Sequence, residues 1–311
     1  MWAMQARRAL MCILAAIASS AVPVPAAARS PLAEIVVDAK TGRVIHEQDA
    51  DRPRRPASIA KVMTLFLVFD ALDTGKLKLD QRLRVSRAAA AQAPTKLGLA
   101  AGGTITVRNA MRAVAVKSAN DAAVVLAEAL AGDERRFARK MTAKARALGM
   151  AKTAFGNATG LPDRKTWTTA RDIATLSRAV WRAHPDRYAL FGRRTLVWRE
   201  RSFTNHNHLL GRVTGVDGIK TGFTNEAGYT VAASAARKGR RLIAVVLGAV
   251  NRHVRDDRAG ALLERGFAKG RPRLVQSTSP TPSKLQPSPN RETRPSGAAR
   301  AAAAFSLNLA E

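Results

Sequence analysis

Runs of residues typical of β-strands lie at both ends of the globular part of this chain, and helical patterns fill the interval between them. Residues 34–38 and 43–46 flank the turn-forming segment 39–42, which predicts a hairpin. Residues 229–235 and 242–250 form a second pair of apolar runs much later in the chain. We therefore predict an α+β fold whose sheet collects strands from distant parts of the sequence.

The middle of the chain has the periodicity of helices. A helix is predicted over residues 58–72, because apolar side chains recur there at spacings of three and four: Val62, Leu65, Phe66 and Phe69. Further helices are predicted over residues 106–116, 121–131, 134–148, 170–184 and 257–267. Ser118 lies in the short polar loop predicted between two of these helices, from which side chains can project into a cleft.

Both ends of the chain differ in composition from residues 29–268, which we interpret as one catalytic domain. Residues 1–28 contain two arginines, an apolar run and then small alanines, a pattern typical of an export signal. We expect cleavage after Ala28 or nearby, and an uncleaved anchor is the alternative. Residues 269–311 are rich in Pro, Ser and Arg and are predicted to be a disordered tail.

Cysteine content and charge limit the function further. The only cysteine, Cys12, lies in the predicted signal, so neither disulfides nor cysteine-bound metals are expected in the mature protein. The net charge is +29, which favours electrostatic contact with an anionic envelope; a solvated basic surface without a dedicated partner is the alternative. No stretch interleaves aromatic with basic residues as a groove for single-stranded nucleic acid does, so we expect no nucleic-acid partner.

Three short motifs follow one another along the chain: Ser58-Ile59-Ala60-Lys61, Ser118-Ala119-Asn120 and Lys220-Thr221-Gly222. The residue sequence of a motif is not specific by itself, since Lys40-Thr41-Gly42 repeats the third motif within the hairpin turn. The order of the three motifs along the chain and the residues around each one distinguish them from this chance repeat. Pro56 closes a loop and leaves Ser58 in the first turn of a helix, where free backbone N–H groups and the helix dipole favour developing negative charge.

The motifs and their flanking segments resemble those of the low-molecular-mass penicillin-binding D-alanyl-D-alanine carboxypeptidases. The resemblance runs from about residue 32 to 268 and includes residues 55–64, 148–150, 157–162 and 216–224. It implies a β-lactamase/transpeptidase-like fold, with an antiparallel sheet flanked by helices and a mostly helical subdomain that carries the Ser-x-Asn loop. It also implies an exported enzyme of the periplasm or cell envelope that removes the terminal D-alanine from peptidoglycan stem pentapeptides. β-Lactams are then expected to be covalent inhibitors, and no cofactor is expected.

The resemblance assigns a role to each motif residue. Ser58 is the nucleophile that becomes acylated, and Lys61 accepts its proton, which requires a pKa lowered by burial and by a neighbouring ammonium such as Lys220. Ser118 passes the proton to the leaving amine, and Asn120 holds the substrate amide.

Carboxylate and oxyanion recognition complete the expected site. Lys220 and Thr221 bind the terminal carboxylate, and the backbone N–H groups of Ser58 and Phe223 form the oxyanion hole. Arg255 occupies a position where relatives carry an arginine that assists carboxylate recognition. A solvated surface arginine is the alternative reading of Arg255, and Arg252 is a nearby competitor.

Two histidines depart from the pattern of the family. Asn207 resembles a family asparagine, but His206 and His208 flank it. Since neither a carboxylate nor a third histidine follows at ligand spacing, we interpret both as surface residues and expect no metal.

Three other functions use the same residues. A β-lactamase needs a glutamate that activates water, and no Glu-x-x-Leu-Asn-like segment lies between the second and third motifs. A DD-endopeptidase shares all the site residues, and a catalytically inactive, basic cell-wall-binding protein would not need intact motifs. Many relatives continue into a β-rich domain and an amphipathic anchor. Only 43 residues follow residue 268 in this sequence, so no clear membrane anchor is expected in residues 269–311.

Overall fold

The computed structural model describes residues 32–269, so the predicted export signal and nearly all of the predicted tail lie outside the described residues. The strands in chain order are β1 Ala33–Asp38, β2 Val44–Gln48, β3 Arg82–Arg84, β4 Thr104–Thr106, β5 Thr195–Trp198, β6 Arg201–Thr204, β7 Val216–Thr224, β8 Gly228–Arg237 and β9 Arg240–Ala249. The α-helices are α1 Ala60–Asp73, α2 Arg87–Ala90, α3 Val107–Arg112, α4 Asn120–Ala131, α5 Glu134–Ala147, α6 Ala170–Ala183, α7 Pro185–Tyr188 and α8 Arg252–Ala268.

Five strands form one antiparallel sheet in the order β2-β1-β9-β8-β7. The hairpin β1–β2 therefore pairs with the last strand of the sheet, as the distribution of strand-like runs predicted. β8 and β9 are the central hairpin, and nearly all of their apolar side chains are buried. Such continuous apolar runs indicate a sheet covered on both faces.

Helices cover the two faces of the sheet. On one face α8 packs with Leu262 and Leu263 against Val36 of β1 and the same-facing residues of β8 and β9. On the other face α6 packs against the alternate residues of β1 and β9, including Ile35 and Val245, and α1 packs against α6 and β7. The larger core cluster on this second face continues into the helices α3, α4 and α5, which form the mostly helical part of the domain.

The predicted helices agree with α1, α4, α5 and α6, but the type of one helix and the start of another differ from the predictions. The helix expected over residues 106–116 is α3 followed by a π-helical turn, Ala113–Lys117, that ends at Ser118. The last helix begins at Arg252 rather than at residue 257, because Asn251 accepts a capping hydrogen bond from the Val254 N–H group.

The Lys220-Thr221-Gly222 motif precedes the strand pair β8–β9, but the strand that contains the motif was not predicted. The motif lies inside β7, an edge strand of the sheet. Two glycines and a buried lysine interrupt the alternation by which a strand is recognised. None of the helices within residues 32–269 is both long and apolar enough to span a membrane.

Candidate active site

Ser58 lies in a single 3₁₀ turn, Ala57–Ile59, that leads directly into α1. Two glycines let other segments approach this turn closely. A Cβ atom at Gly222 would come within 2.7 Å of the Ser58 backbone nitrogen, and one at Gly160 would overlap the Ala57 carbonyl oxygen. Ala57 itself has a positive φ of 48°, a conformation that costs free energy and is common beside reactive groups.

Lys61 is the best-placed base for the Ser58 hydroxyl. Its side chain is fully buried, and Nζ donates hydrogen bonds to Ser58 Oγ at 2.8 Å and to the Thr159 carbonyl oxygen at 2.6 Å. Burial holds the pKa of Lys61 well below its usual range, and the charge of Lys220 lowers the pKa further, whereas Glu134 partly opposes both. A neutral amine 2.8 Å from a hydroxyl can accept its proton.

Ser118 combines an unusual backbone with an unpaired hydroxyl. Its φ and ψ of 61° and 32° are left-handed, which terminates the π-helical turn and directs the side chain into the cleft. The hydroxyl is buried, and Ser118 Oγ finds no hydrogen-bond partner within residues 32–269. A buried hydroxyl without a partner is costly, and a ligand or a transferred proton can satisfy it.

Asn120 holds the neighbouring loop through one end of its amide. Its Nδ2 atom donates to the carbonyl oxygens of Ala93 at 2.8 Å and Pro94 at 3.2 Å, and its backbone N–H donates to Thr95 at 2.7 Å. The donor end of the side chain is therefore occupied, and the acceptor Oδ1 is the end available to a substrate N–H group.

Lys220, Thr221 and Arg255 form a buried positive region beside the two serines. Lys220 Nζ donates to the Thr221 carbonyl oxygen at 2.9 Å. Burial, together with the charge of Arg255, lowers the pKa of Lys220 to about 7. Arg255 is also buried and donates to Asp256 at 2.7 Å, and both Thr221 and Arg255 line the cleft, so the alternative reading of Arg255 as a solvated surface residue was wrong.

His206 also lines the cleft, which contradicts its interpretation as a surface residue. Burial lowers the pKa of His206 to about 4, and the nearby charges of Lys220 and Lys117 add to this shift. The imidazole is consequently neutral at pH 7. His208 is exposed and lies 3.7 Å from Asp256, and the competitor Arg252 lines the cleft as well.

These residues surround one cleft of about 410 Å³ between the helical part and the β7 edge of the sheet. The cleft is lined by Ser58, Pro94, Thr95, Ser118, Asn120, Gly160, Leu161, His206, His208, Thr221, Gly222, Phe223, Thr224, Tyr229, Arg252 and Arg255. Lys61 and Lys220 lie just behind this lining. Phe223 is half exposed and stacks on Tyr229 with ring centres 4.3 Å apart.

Asn157 supports the site, although the sequence indicated it only as part of the flanking segment 157–162. Asn157 Oδ1 accepts hydrogen bonds from Thr159 N at 3.1 Å, Thr159 Oγ1 at 3.0 Å and Gly160 N at 2.7 Å. These three hydrogen bonds hold the loop in which the Thr159 carbonyl oxygen accepts a hydrogen bond from Lys61 Nζ. Glu134, which contacts the same loop through the Ala158 N–H group, gave no recognisable signal in the sequence.

Comparison with known proteins agrees with this geometry. A sequence profile of the peptidase S11 family, described as D-alanyl-D-alanine carboxypeptidase, matches residues 20–251. The D-alanyl-D-alanine carboxypeptidase DacF of Bacillus subtilis is 33% identical over 240 residues, which cover 76% of this chain and 61% of that protein. The D-alanyl-D-alanine carboxypeptidase DacD of Escherichia coli is 36% identical over 239 residues, which cover 75% of this chain and 62% of that protein.

A solved structure is similar over the same part of the chain. Penicillin-binding protein D2 of Listeria monocytogenes, in its cefotaxime-bound form, aligns with a TM-score of 0.69 and 34% identity over 76% of this chain and 96% of that chain. The fold predicted from the motifs is thereby confirmed. The chain spans about three fifths of the length of the two curated relatives.

Proposed function

The chain belongs to the peptidase S11 family of D-alanyl-D-alanine carboxypeptidases, and from this premise we propose that it removes the terminal D-alanine from peptidoglycan stem pentapeptides through an acyl-enzyme on Ser58. The observation that carries the proposal is the pair formed by Ser58 and Lys61. The fully buried amine lies 2.8 Å from the hydroxyl. Its lowered pKa favours the neutral amine, the form that can accept the proton of the hydroxyl.

In the acylation step, Ser58 Oγ attacks the carbonyl carbon of the penultimate D-alanine and gives its proton to Lys61. The tetrahedral oxyanion is stabilised by the backbone N–H groups of Ser58 and Phe223. As the C–N bond breaks, the proton reaches the leaving D-alanine nitrogen through Ser118, whose unpaired buried hydroxyl supports this role. An ester on Ser58 remains, and water hydrolyses it to release the shortened peptide and restore the hydroxyl.

Substrate orientation falls to the polar groups around the cleft. Asn120 Oδ1 accepts a hydrogen bond from the substrate amide, since its Nδ2 atom is already engaged by the 93–94 carbonyls. Lys220, Thr221 and Arg255 bind the terminal carboxylate. This buried positive region supports the preference for a free carboxylate, because an anion there relieves the repulsion between Lys220 and Arg255.

The proposed location and partners follow from the same activity. We place residues 29–268 in the periplasm or cell envelope after removal of residues 1–28, with residues 269–311 as a tail in electrostatic contact with anionic envelope material. β-Lactams would acylate Ser58 as substrate analogues. The cefotaxime-bound relative supports this expectation.

The test compares the wild type with Ser58→Ala and with a matched control, Ser202→Ala, which removes an exposed hydroxyl of β6. Intact-protein mass spectrometry after penicillin treatment should show one covalent adduct in the wild type and Ser202→Ala and none in Ser58→Ala. Release of D-alanine from a stem pentapeptide should follow the same pattern.

Two outcomes would contradict the proposal in different ways. An adduct without D-alanine release would indicate a penicillin-binding protein of another activity, with cross-linked muropeptides as the next substrate to try. An adduct that persists in Ser58→Ala would show that the nucleophile is a different residue.

A further inference from the structure

A second groove, separate from the active-site cleft, has four arginines among its nine lining residues. It has a volume of about 440 Å³ and lies between α3 and the segment formed by α7 and the 3₁₀ turn Ala189–Gly192. Its apolar lining includes Met111 and Leu190, and it shares no lining residue with the active-site cleft. Arg108, Arg112, Arg187 and Arg193 supply four guanidinium groups, and Asp186 is the one acidic residue of this lining.

Within the described part of the chain, residues 32–269, two of the four arginines have carboxylate partners. Arg108 binds Asp80 through Nε at 3.1 Å and Nη2 at 3.0 Å, and Arg187 Nε binds Asp73 at 3.0 Å.

Arg112 and Arg193 form no ion pair within residues 32–269, although both line the same groove. The pKa of Arg112 is lowered by partial burial and by the charges of Arg193 and Arg108, which shows that these cations lie close enough to repel one another. Arg112 is partly buried and Arg193 is exposed, and both border the groove together with the apolar side chains of Met111 and Leu190. The groove therefore has the charge and shape of an unsatisfied anion site.

We propose that this groove binds a phosphate group, with Arg112 and Arg193 as its principal ligands. A guanidinium presents a planar fork of donors that matches a phosphate oxygen pair, and a phosphate has enough acceptor oxygens and charge to engage two such forks at once. A single carboxylate would satisfy one fork and leave the other unpaired. Phosphate groups occur in polymers and in lipid headgroups, and both present the chemistry that the groove accepts.

The position of the groove gives such binding a structural consequence. α3 continues through the π-helical turn to Ser118, and the Ala189–Gly192 turn packs behind β7, where a Cβ atom at Gly192 would lie 2.8 Å from the Asp217 carbonyl oxygen. A phosphate held between Arg112 and Arg193 would join the segments that support the second and third motifs. The binding site itself goes beyond the proposed activity and does not depend on it.

The test measures binding of inorganic pyrophosphate to the full chain by isothermal titration calorimetry at physiological salt. The groove variant is Arg112→Gln/Arg193→Gln, and the matched control is Arg139→Gln/Arg146→Gln, which removes the same charge from exposed positions on α5. We expect the dissociation constant to rise at least about tenfold in the groove variant, because charge-assisted hydrogen bonds to two arginines are lost. In the control it should change less than about twofold, as expected for distant screened charges.

Vesicles of phosphatidylglycerol test the lipid source in a parallel cosedimentation assay. Selective loss of vesicle binding in the groove variant would place the phosphate on a lipid, and selective loss of pyrophosphate binding alone would place it on a soluble or polymeric anion. Either result supports the site.

Three results would overturn the proposal. The first is a wild type that binds neither pyrophosphate in the millimolar range nor phosphatidylglycerol vesicles. Equal weakening in the two double variants would indicate general attraction to a basic protein, and citrate binding as tight as pyrophosphate would remove the assignment to phosphate. Arg193→Gln alone provides a milder variant if the double variant unfolds, and it should weaken binding in the same direction.

Discussion

Replacement of Lys220 by methionine should make this protein more stable and catalytically inactive. Lys220 is 2% exposed, and its pKa falls from 10.5 to about 7 because burial and Arg255 disfavour the ammonium. Methionine has a similar length and volume but neither charge nor donor. The substitution removes the desolvation and the repulsion together.

The magnitude follows from the linkage between pKa and stability. In the unfolded chain Lys220 titrates near 10.5 and in the folded chain near 7, so folding releases a proton between these values. Stability contributed by this group is therefore lowest below pH 7 and rises towards pH 10.5. A shift of this size corresponds to an upper limit of about 4 to 5 kcal/mol. Loss of the hydrogen bond from Lys220 to the Thr221 carbonyl oxygen destabilises the variant by about 1 kcal/mol. We therefore expect the free energy of unfolding of Lys220→Met to exceed that of the wild type by about 2 to 3 kcal/mol at pH 7.

Urea denaturation of the wild type and Lys220→Met at pH 7 and pH 9 measures this effect. The difference in free energy of unfolding should be larger at pH 7 than at pH 9, because folding requires Lys220 to lose its proton and this loss costs less free energy as the pH approaches the unfolded value of 10.5. Lys76→Met, at an exposed position, is the matched control and should change stability by less than about 0.5 kcal/mol at either pH. A destabilised Lys220→Met protein, or a gain that does not change with pH, would refute the reasoning.

Three further predictions concern residues in and around the active-site cleft. Gly222→Ala should slow acylation by about 100-fold, because the added Cβ would lie 2.7 Å from the Ser58 nitrogen and displace the nucleophile; stopped-flow labelling measures the rate, and an unchanged rate would show that β7 adjusts freely. The kcat/KM for D-alanine release should fall on the alkaline side of its pH profile as Lys220 loses its charge near its pKa of about 7. Lys220→Arg should abolish the alkaline limb, since a guanidinium stays protonated, and a persisting limb would assign it to another group. Asn157→Ala should lower the free energy of unfolding by about 2 kcal/mol and slow acylation, because three hydrogen bonds that fix the Thr159 loop are lost; urea titration and labelling together check this, and a loss of stability without slower labelling would separate the loop from catalysis.

The elements that could be predicted from the sequence are those whose signal is local. The helices α1, α5 and α6 have apolar periodicity over several turns, and β1, β8 and β9 are short apolar runs between turn residues. The strand β7 could not be recognised in this way. Gly222 lies close to the Ser58 backbone nitrogen, and Lys220 lies near the charge of Arg255. Both partners are distant in the sequence, so no local pattern marks these positions as part of a strand.

The π-helical turn before Ser118 was missed for a similar reason. Residues 113–117 have an ordinary helical composition, and the wider turn follows from how α3 and α4 pack around Ser118. The cleft-lining position of His206 was missed as well, because sequence spacing reports possible metal ligands but not burial.

The sequence by itself determined the order of the three motifs, the strand-helix-strand plan and the residue types available for catalysis, because these depend on neighbouring residues and on composition. Tertiary structure alone decided that the pKa of Lys61 is held well below its usual range. That property requires water to be excluded from its amine and Lys220 to be brought near, two conditions that arise only when β7 packs against the turn that holds Ser58. Tertiary packing also leaves the Ser118 hydroxyl buried with no hydrogen-bond partner among residues 32–269, and it brings Arg112 and Arg193, which form no ion pair in that part of the chain, to the second groove. Charge and burial at these sites come from segments distant in the chain, and no local pattern encodes them.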